Sequence, residues 1–249
     1  MTMFQQVAIT GASSGIGEAL AYEFAGRGAS LALLARRRER LQQIAAEIQS
    51  RHPQVKVVCV PLDVADTAAV LPALQQAREQ LGGLDSVVAN AGMTGVNRTG
   101  AGDFSKDEQI IQVNLIGGMA AVDAAARLFR AQGWGTVVGI SSVSAFKGIP
   151  GSAAYSASKA GFSNYLDTTR MELQKHGIDV VAVHPGFVQT DIAPNMEKMP
   201  FVISAEKAAA DIVNGLVKGE SNMVVPAMPW AVLKRVLPVL PDSLIKKLF

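Results

Sequence analysis

The chain has 249 residues, 49% hydrophobic and 18% charged, and its 23 Lys and Arg nearly cancel its 21 Asp and Glu to leave a formal charge of +2. Such a balance suits one large buried core and excludes a disordered or collagenous chain. It also lacks the cationic footprint of a nucleic-acid binder, Arg36-Arg37-Arg38 with Arg40 being its one tight basic cluster.

Residues 1–6 carry no basic start followed by an apolar stretch, so no signal peptide is expected, and no uninterrupted apolar run reaches the ~18 residues of a spanning helix. The single cysteine, Cys59, lies in the apolar run 55–60 without a partner for a disulfide, which fits a reducing cytoplasm. Short β-branched runs at 7–9, 31–34, 55–60, 86–89, 136–140 and 180–183 predict buried parallel strands. Amphipathic stretches between them predict helices at 18–25, 37–50, 68–81, 108–129, 154–175 and 205–217. Gly82-Gly83, Gly133 and Gly177 stand where helices should stop, and Ser204 where the last should be capped. Strand and helix alternate throughout, the pattern of a doubly wound α/β sheet in a single domain over 1–225. The remainder, 226–249, is an apolar-basic C-terminal extension.

After the first strand comes Thr10-Gly11-Ala12-Ser13-Ser14-Gly15-Ile16-Gly17. Between a strand and a helix, such a turn lets backbone N–H groups and the helix N-terminus approach a pyrophosphate, because glycine has no Cβ to block it. Its first gap is longer than that of G-x-G-x-x-G, and a plain strand-to-helix turn is the competing reading. At the end of the second strand, where a fold preferring NAD offers a carboxylate to the ribose, this chain reads Leu34-Ala35-Arg36-Arg37. Arg36 is the candidate partner of a 2′-phosphate, which favours NADP(H), with NAD(H) as the secondary cofactor. Arg37 ranks behind it, and Arg38 and Arg40 read as solvated. Further along, Tyr155 and Lys159 stand at i and i+4 on one helical face, where a cation can stabilise a phenolate and lower its pKa.

In this order, Thr10 to Gly17, Asp63-Val64, Asn90-Ala91-Gly92, Asn114, Ile140-Ser141-Ser142, Tyr155 with Lys159, Pro185-Gly186 and Thr190 resemble the short-chain dehydrogenase/reductase (SDR) family over about residues 7–225. The resemblance implies a Rossmann-type fold that binds a nicotinamide dinucleotide across the strand ends and transfers hydride between it and a carbonyl or alcohol substrate. It implies Tyr155 as the proton-transferring group and Ser142 as donor to the substrate oxygen, with Ser141 its rival. Lys159 would lower the tyrosine pKa and bind the nicotinamide ribose, and Asn114 would hold a water on the proton's way out. Cofactor contacts are implied at Gly11, Ser13, Ser14, Gly15, Ile16, Gly17, Asp63 and Val64 at the adenine, Asn90, Ala91, Gly92, Pro185, Gly186, Val188 and Thr190. No metal is needed. Residues 191–203 correspond to the family's substrate lid, and the Ile, Met and Phe there suggest an apolar substrate, with Phe146, Ile149 and Phe187 as further candidates for the pocket wall. A homodimer or homotetramer is implied. Two other functions use the same fold: a catalytically silent NADP(H)-binding sensor or scaffold, against which the intact Ser142, Tyr155 and Lys159 argue, and an isomerase or dehydratase.

Other residues read as structural. His184, before Pro185-Gly186, is expected to be a satisfied histidine at a strand end, and His52 and His176 suit helix C-termini. Trp134 reads as packing. Prolines 229, 238 and 241 split the C-terminal extension into two pieces, each combining large apolar residues with a Lys/Arg pair. Subunit association is its first expected role, peripheral membrane contact the second, and packing back on its own domain the third.

Overall fold

The computed structural model describes residues 4–100, 103–190 and 199–248. Strands and helices alternate as β1 (Gln6–Thr10), α1 (Gly15–Gly26), β2 (Ser30–Ala35), α2 (Arg38–Arg51), β3 (Val57–Pro61), α3 (Thr67–Leu81) and β4 (Ser86–Ala89). There follow α4 (Phe104–Ile111), a π-helical segment Gln112–Gly117, α5 (Gly118–Gln132), β5 (Gly135–Ile140), α6 (Ala153–Leu173) and β6 (Ile178–Pro185). The chain then forms β7 (Val188–Gln189), β8 (Ile203–Ser204), α7 (Ala205–Val217), β9 (Asn222–Val225), α8 (Ala227–Val236) and α9 (Asp242–Leu248). Among the described residues, seven parallel strands form one sheet in the order β3-β2-β1-β4-β5-β6-β9. The order reverses between β1 and β4, the place where a doubly wound sheet opens a crevice at its strand ends.

The strands read as unbroken apolar runs because both of their faces are covered. Val7, Ile9, Leu31, Leu33, Val181 and Val183 pack with Leu20, Phe24, Ile44, Ile48 and Ile212 on one side. Ala8, Ala32, Leu34, Val87 and Val137 pack with Leu74, Val122, Phe129 and Leu166 on the other, so adjacent residues of one strand serve different layers. Gly82, Gly133 and Gly177 end their helices in the left-handed conformation, with φ of 82°, 84° and 70°. Ser204 caps α7, its hydroxyl accepting the Lys207 N–H at 3.2 Å.

Four expectations need correction. The helix expected at 108–129 begins at Phe104, passes through the π-helical segment and ends at Gln132; by length and composition it could cross a membrane, yet half of its most apolar window is buried against the sheet and its layers. The strand β9 had no counterpart in the expected elements, its four residues standing directly before the extension. Trp134 is not packed inside: it stands 53% exposed on the turn before β5. Arg40 is not merely solvated, since it pairs with Glu18.

In the extension, α8 and α9 fold back over the sheet's β9 edge. Trp230, Leu237 and Ile245 are buried in a cluster with Val143, Phe187 and Val224, which is the intramolecular packing ranked third above. Val232 and Val236, one helical turn apart on α8, remain exposed, as do Met228 at the kinked start of the helix and Val239 beyond it.

Candidate functional site

A cleft of about 1100 Å³ runs along the C-terminal ends of the strands. Its lining includes the glycine turn, Arg36, Arg37, Asp63 and Val64 at one end, Asn90, Ala91, Gly92, Ser142, Tyr155 and Lys159 in the middle, and Ile149, Phe187 and Met199 toward the other. The sheet's switch point thus brings together residues scattered from 11 to 199 in sequence.

The glycine turn is held closely. Gly11 has φ of 69°, and a Cβ there would meet Ala91 Cα at 2.7 Å; a Cβ on Gly17 would meet Asn90 Nδ2 at 2.4 Å and the Gly11 oxygen at 2.5 Å. Asn90 fastens the turn, its Nδ2 donating to the Thr10 oxygen at 2.9 Å, while the N–H groups of Asn90 and Ala91 donate to Thr10 Oγ1 at 3.0 and 3.1 Å. The N-terminus of α1, with Ser14 at its N-cap position, opens onto the cleft beside Ser13 and Ile16. Pro185, Gly186, Val188 and Thr190 form the opposite bank, and a Cβ on Gly15 would come within 3.2 Å of Thr190 Cγ2. This bare-backbone cradle, with a helix N-terminus at its floor, fits a dinucleotide pyrophosphate.

At the far end the two arginines separate. Arg36 is 75% exposed on its side chain and lies 3.9 Å from Asp63 Oδ2. Arg37 reaches back to the glycine turn, donating to Ser13 Oγ at 3.0 Å, the Ser13 carbonyl at 3.0 Å and Ser14 Oγ at 2.7 Å. Sequence position ranked Arg37 too low, because it could not show which of two adjacent guanidinium groups would be fixed on the turn. Asp63 accepts the Ala65 N–H at 3.0 Å, forming a turn next to Val64.

In the middle of the cleft, Ser142 and Tyr155 lie together among the lining residues. Burial pushes the Tyr155 phenol above its ordinary pKa, and the Ser142 side chain opposes that rise without reversing it. Lys159 is 5% exposed, its Nζ donating to the Ile140 carbonyl at 2.9 Å and lying 5.8 Å from the centre of the Tyr155 ring. Burial pulls this ammonium down to about 8. The lowered tyrosine pKa expected from the lysine charge is not found: desolvation raises it, and Ser142 rather than Lys159 opposes the rise.

Ser141 and Ser142, adjacent rivals in sequence, face different ways. Ser142 lines the cleft and its Oγ accepts the Ser144 N–H at 3.1 Å. Ser141 Oγ turns inward, 3.0 Å from the Lys159 carbonyl oxygen and 2.7 Å from Ser163 Oγ. Asn114 lies in the π-helical segment, buried, with Oδ1 accepting the Met93 N–H at 2.7 Å and Nδ2 donating to the Met93 oxygen at 2.9 Å. It clamps the loop that carries Gly92. Of the expected wall residues, Ile149 and Phe187 line the cleft, whereas Phe146 stacks on His184 with ring centres 4.8 Å apart. Met93, Thr94, Val96, Ser144 and Ser152 also line it and were not foreseen; Met93 and Thr94 follow Asn90-Ala91-Gly92 directly, a position that could have flagged them. Residues 191–198 of the expected lid lie outside the described residues.

Known proteins share this architecture. The family model described as short chain dehydrogenase matches residues 5–200. An uncharacterised oxidoreductase of Mycobacterium tuberculosis is 34% identical over 244 residues, covering 98% of this chain and 96% of its own. An 11-beta-hydroxysteroid dehydrogenase-like protein of Arabidopsis thaliana is 33% identical over 254 residues, covering 98% of this chain and 81% of its own. A short-chain dehydrogenase from Sphingobium yanoikuyae, solved in complex with NADPH, superposes with a TM-score of 0.84 at 29% identity, covering 98% of this chain and 94% of that one.

Proposed function

This chain belongs to the short-chain dehydrogenase family and is an oxidoreductase of it, and from that premise we propose an NADPH-dependent reductase of uncharged, largely apolar ketones or aldehydes. The observation that carries the proposal is a single cleft that gathers Ser142, Tyr155 and Lys159 in its middle and presents Arg36 and Arg37 at one end. When bound, the nicotinamide supplies the hydride that reaches the carbonyl carbon.

All other work falls to the chain. Ser142 Oγ and Tyr155 Oη donate to the carbonyl oxygen where negative charge develops, a small preorganised oxyanion site. Tyr155 then gives its proton to that oxygen. A phenol held above its ordinary pKa is protonated at neutral pH, as the reducing direction requires. Lys159, fixed by the Ile140 carbonyl, holds its ammonium beside the ring and orients the nicotinamide ribose, while Asn114 sets the height of Gly92 and places a water for reprotonation. Arg37 cradles the 2′-phosphate from a guanidinium already fixed on Ser13 and Ser14, with Arg36 closing over it from solvent; NAD(H), lacking that phosphate, is the poorer cofactor. Among the described lining residues the only charged side chains are Arg36, Arg37, Asp63 and Lys159, so the described lining around Ile149, Phe187 and Met199 carries no charge. The names of the Sphingobium and Arabidopsis relatives, one solved with NADPH and one a hydroxysteroid dehydrogenase-like protein, support the cofactor and the apolar substrate class.

In this reading residues 1–225 form the catalytic domain, 226–249 buttress its substrate end, and the exposed valine pair on α8 joins copies of the chain into a cytoplasmic dimer or tetramer. An anionic membrane is the alternative partner of that pair, beside Lys234 and Arg235. A panel of neutral aliphatic, aromatic and steroidal ketones with NADPH absorbance as readout tests the chemistry. Turnover that Tyr155→Phe abolishes while NADPH affinity stays within about twofold is expected. NADPH binding with no turnover across the panel overturns the proposal in favour of a silent sensor, and wild-type turnover in the folded Phe variant refutes the role of Tyr155.

A further inference from the structure

Behind the cleft lies a buried polar chain that no step above uses. Ser141 Oγ is 2.7 Å from Ser163 Oγ, Ser163 Oγ is 3.2 Å from His184 Nε2, and His184 Nδ1 is 3.3 Å from the Met223 carbonyl oxygen. Ser163 Oγ and Ser141 Oγ also lie 2.8 and 3.0 Å from the Lys159 carbonyl oxygen. Four elements meet here: the end of β5, the middle of α6, the end of β6, and β9. Ser141 and His184 are buried.

Proton counting orders the chain. Burial pulls His184 down to about 4, so its ring is neutral at working pH and carries one N–H. A carbonyl can only accept, so that proton sits on Nδ1 and is donated to Met223; Nε2 is left as acceptor for the Ser163 hydroxyl. Ser163 Oγ in turn accepts from Ser141, and each serine also shares its one proton with the Lys159 carbonyl, Ser163 at 2.8 Å and Ser141 at 3.0 Å. All three side chains are thereby satisfied. Apolar residues of similar size would fill these positions without any desolvation cost, so general stability does not require the network. Its attachment points do suggest a use. Ser141 is the neighbour of Ser142 and, on an extended backbone, points to the opposite side, so fixing one aims the other. Lys159 is tied to the β5 end twice, through Nζ at Ile140 and through its carbonyl at Ser141. The face of His184 carries Phe146, the residue that ends the single turn Val143–Ala145 after Ser142.

We propose that Ser163 and His184 are positioning residues for the reaction, holding through Ser141 and Phe146 the geometry in which Ser142 and Lys159 face Tyr155. This rests on the assignment of Ser142, Tyr155 and Lys159 made above. Ser163→Ala breaks the chain at its centre. His184→Phe keeps a ring against Phe146 but removes both hydrogen bonds, and His184→Gln restores an acceptor for Ser163 and a donor for Met223.

With the best ketone of the panel, kcat is expected to fall about tenfold in Ser163→Ala and His184→Phe and to recover to within about threefold in His184→Gln, with NADPH Kd within about twofold throughout. A second readout needs no turnover: the ultraviolet titration of Tyr155, taken as the difference from Tyr155→Phe, should move upward in Ser163→Ala, because the influence of Ser142 that lowers the phenol's pKa is weakened. Unchanged kcat and an unmoved titration in Ser163→Ala or His184→Phe overturn the proposal, as does a Gln variant as slow as the Phe variant. Activity surviving in Tyr155→Phe would instead sink the catalytic assignment itself, so the two failures are distinguishable.

Discussion

Replacing Lys159 by Met should abolish turnover with NADPH and, in the cofactor-free protein at neutral pH, raise stability. Burial drops the ammonium pKa from 10.5 to about 8, and at about 1.36 kcal/mol per unit, keeping the charge inside at neutral pH costs about 3 kcal/mol. Methionine fills a similar volume but loses the 2.9 Å hydrogen bond to the Ile140 oxygen, which returns about 1.5 kcal/mol of that gain. The expected net stabilisation is about 1.5 kcal/mol. Because the folded-state pKa is depressed, the wild-type cost is complete below about pH 8 and fades as pH rises toward 10.5, where the unfolded chain also loses its proton. The variant's advantage should therefore vanish near about pH 9.5. Urea unfolding of both proteins at one concentration, at neutral pH and at about pH 9.5, measures the gap, and background titrations cancel in the difference. A wild type more stable at neutral pH, or a gap that does not narrow with pH, would refute the claim that this site holds a charge against its solvation.

Arg37→Ala should raise the Michaelis constant for NADPH about 10- to 100-fold, the loss of a charge-assisted contact, while that for NADH moves less than about threefold. Arg36→Asp should also shift preference toward NADH, mainly by repulsion; a variant pair that keeps the parent ratio of the two constants assigns the 2′-phosphate elsewhere. Trp230→Ala, removing a side chain 1% exposed against Phe187 and Gly186, should cost about 3–5 kcal/mol in urea unfolding, and a loss under about 1 kcal/mol would mean the extension is not anchored there. Val232→Glu with Val236→Glu should halve the oligomer mass in light scattering without reducing turnover per chain, and an unchanged mass moves the subunit contact off α8.

The sheet was readable because its strands are buried on both faces, which turns each into an unbroken apolar run between capped helices. The site was readable because its parts sit at strand ends, where motif order survives folding. What stayed hidden depends on direction in space. Arg36 and Arg37 are neighbours in sequence, yet only the fold shows that one lies against Ser13 and Ser14 while the other stands in solvent. Ser141 and Ser142 differ in the same way. Trp134 reads as a packing residue in sequence, yet the turn before β5 leaves it turned to solvent. The extension's amphipathic pattern could not say which partner its inner stripe meets, and Trp230, Leu237 and Ile245 meet their own domain.

The π-helical segment at Gln112–Gly117 has a consequence for how the chain tolerates change. An α-helix advances about 100° per residue, and a stretch with wider i to i+5 bonds advances less, so the two flanking helices are out of phase with each other. That phase offset lets one continuous rod aim Asn114 at the cleft loop and, a turn or two later, lay Ala121, Val122 and Ala125 against the sheet. Deleting a single residue within 112–117 would leave composition and helix content almost untouched, yet it would rotate one half relative to the other. Either the clamp on Met93 or the helix's seat on the sheet must then be given up, so this short stretch is far less forgiving of length change than a surface loop.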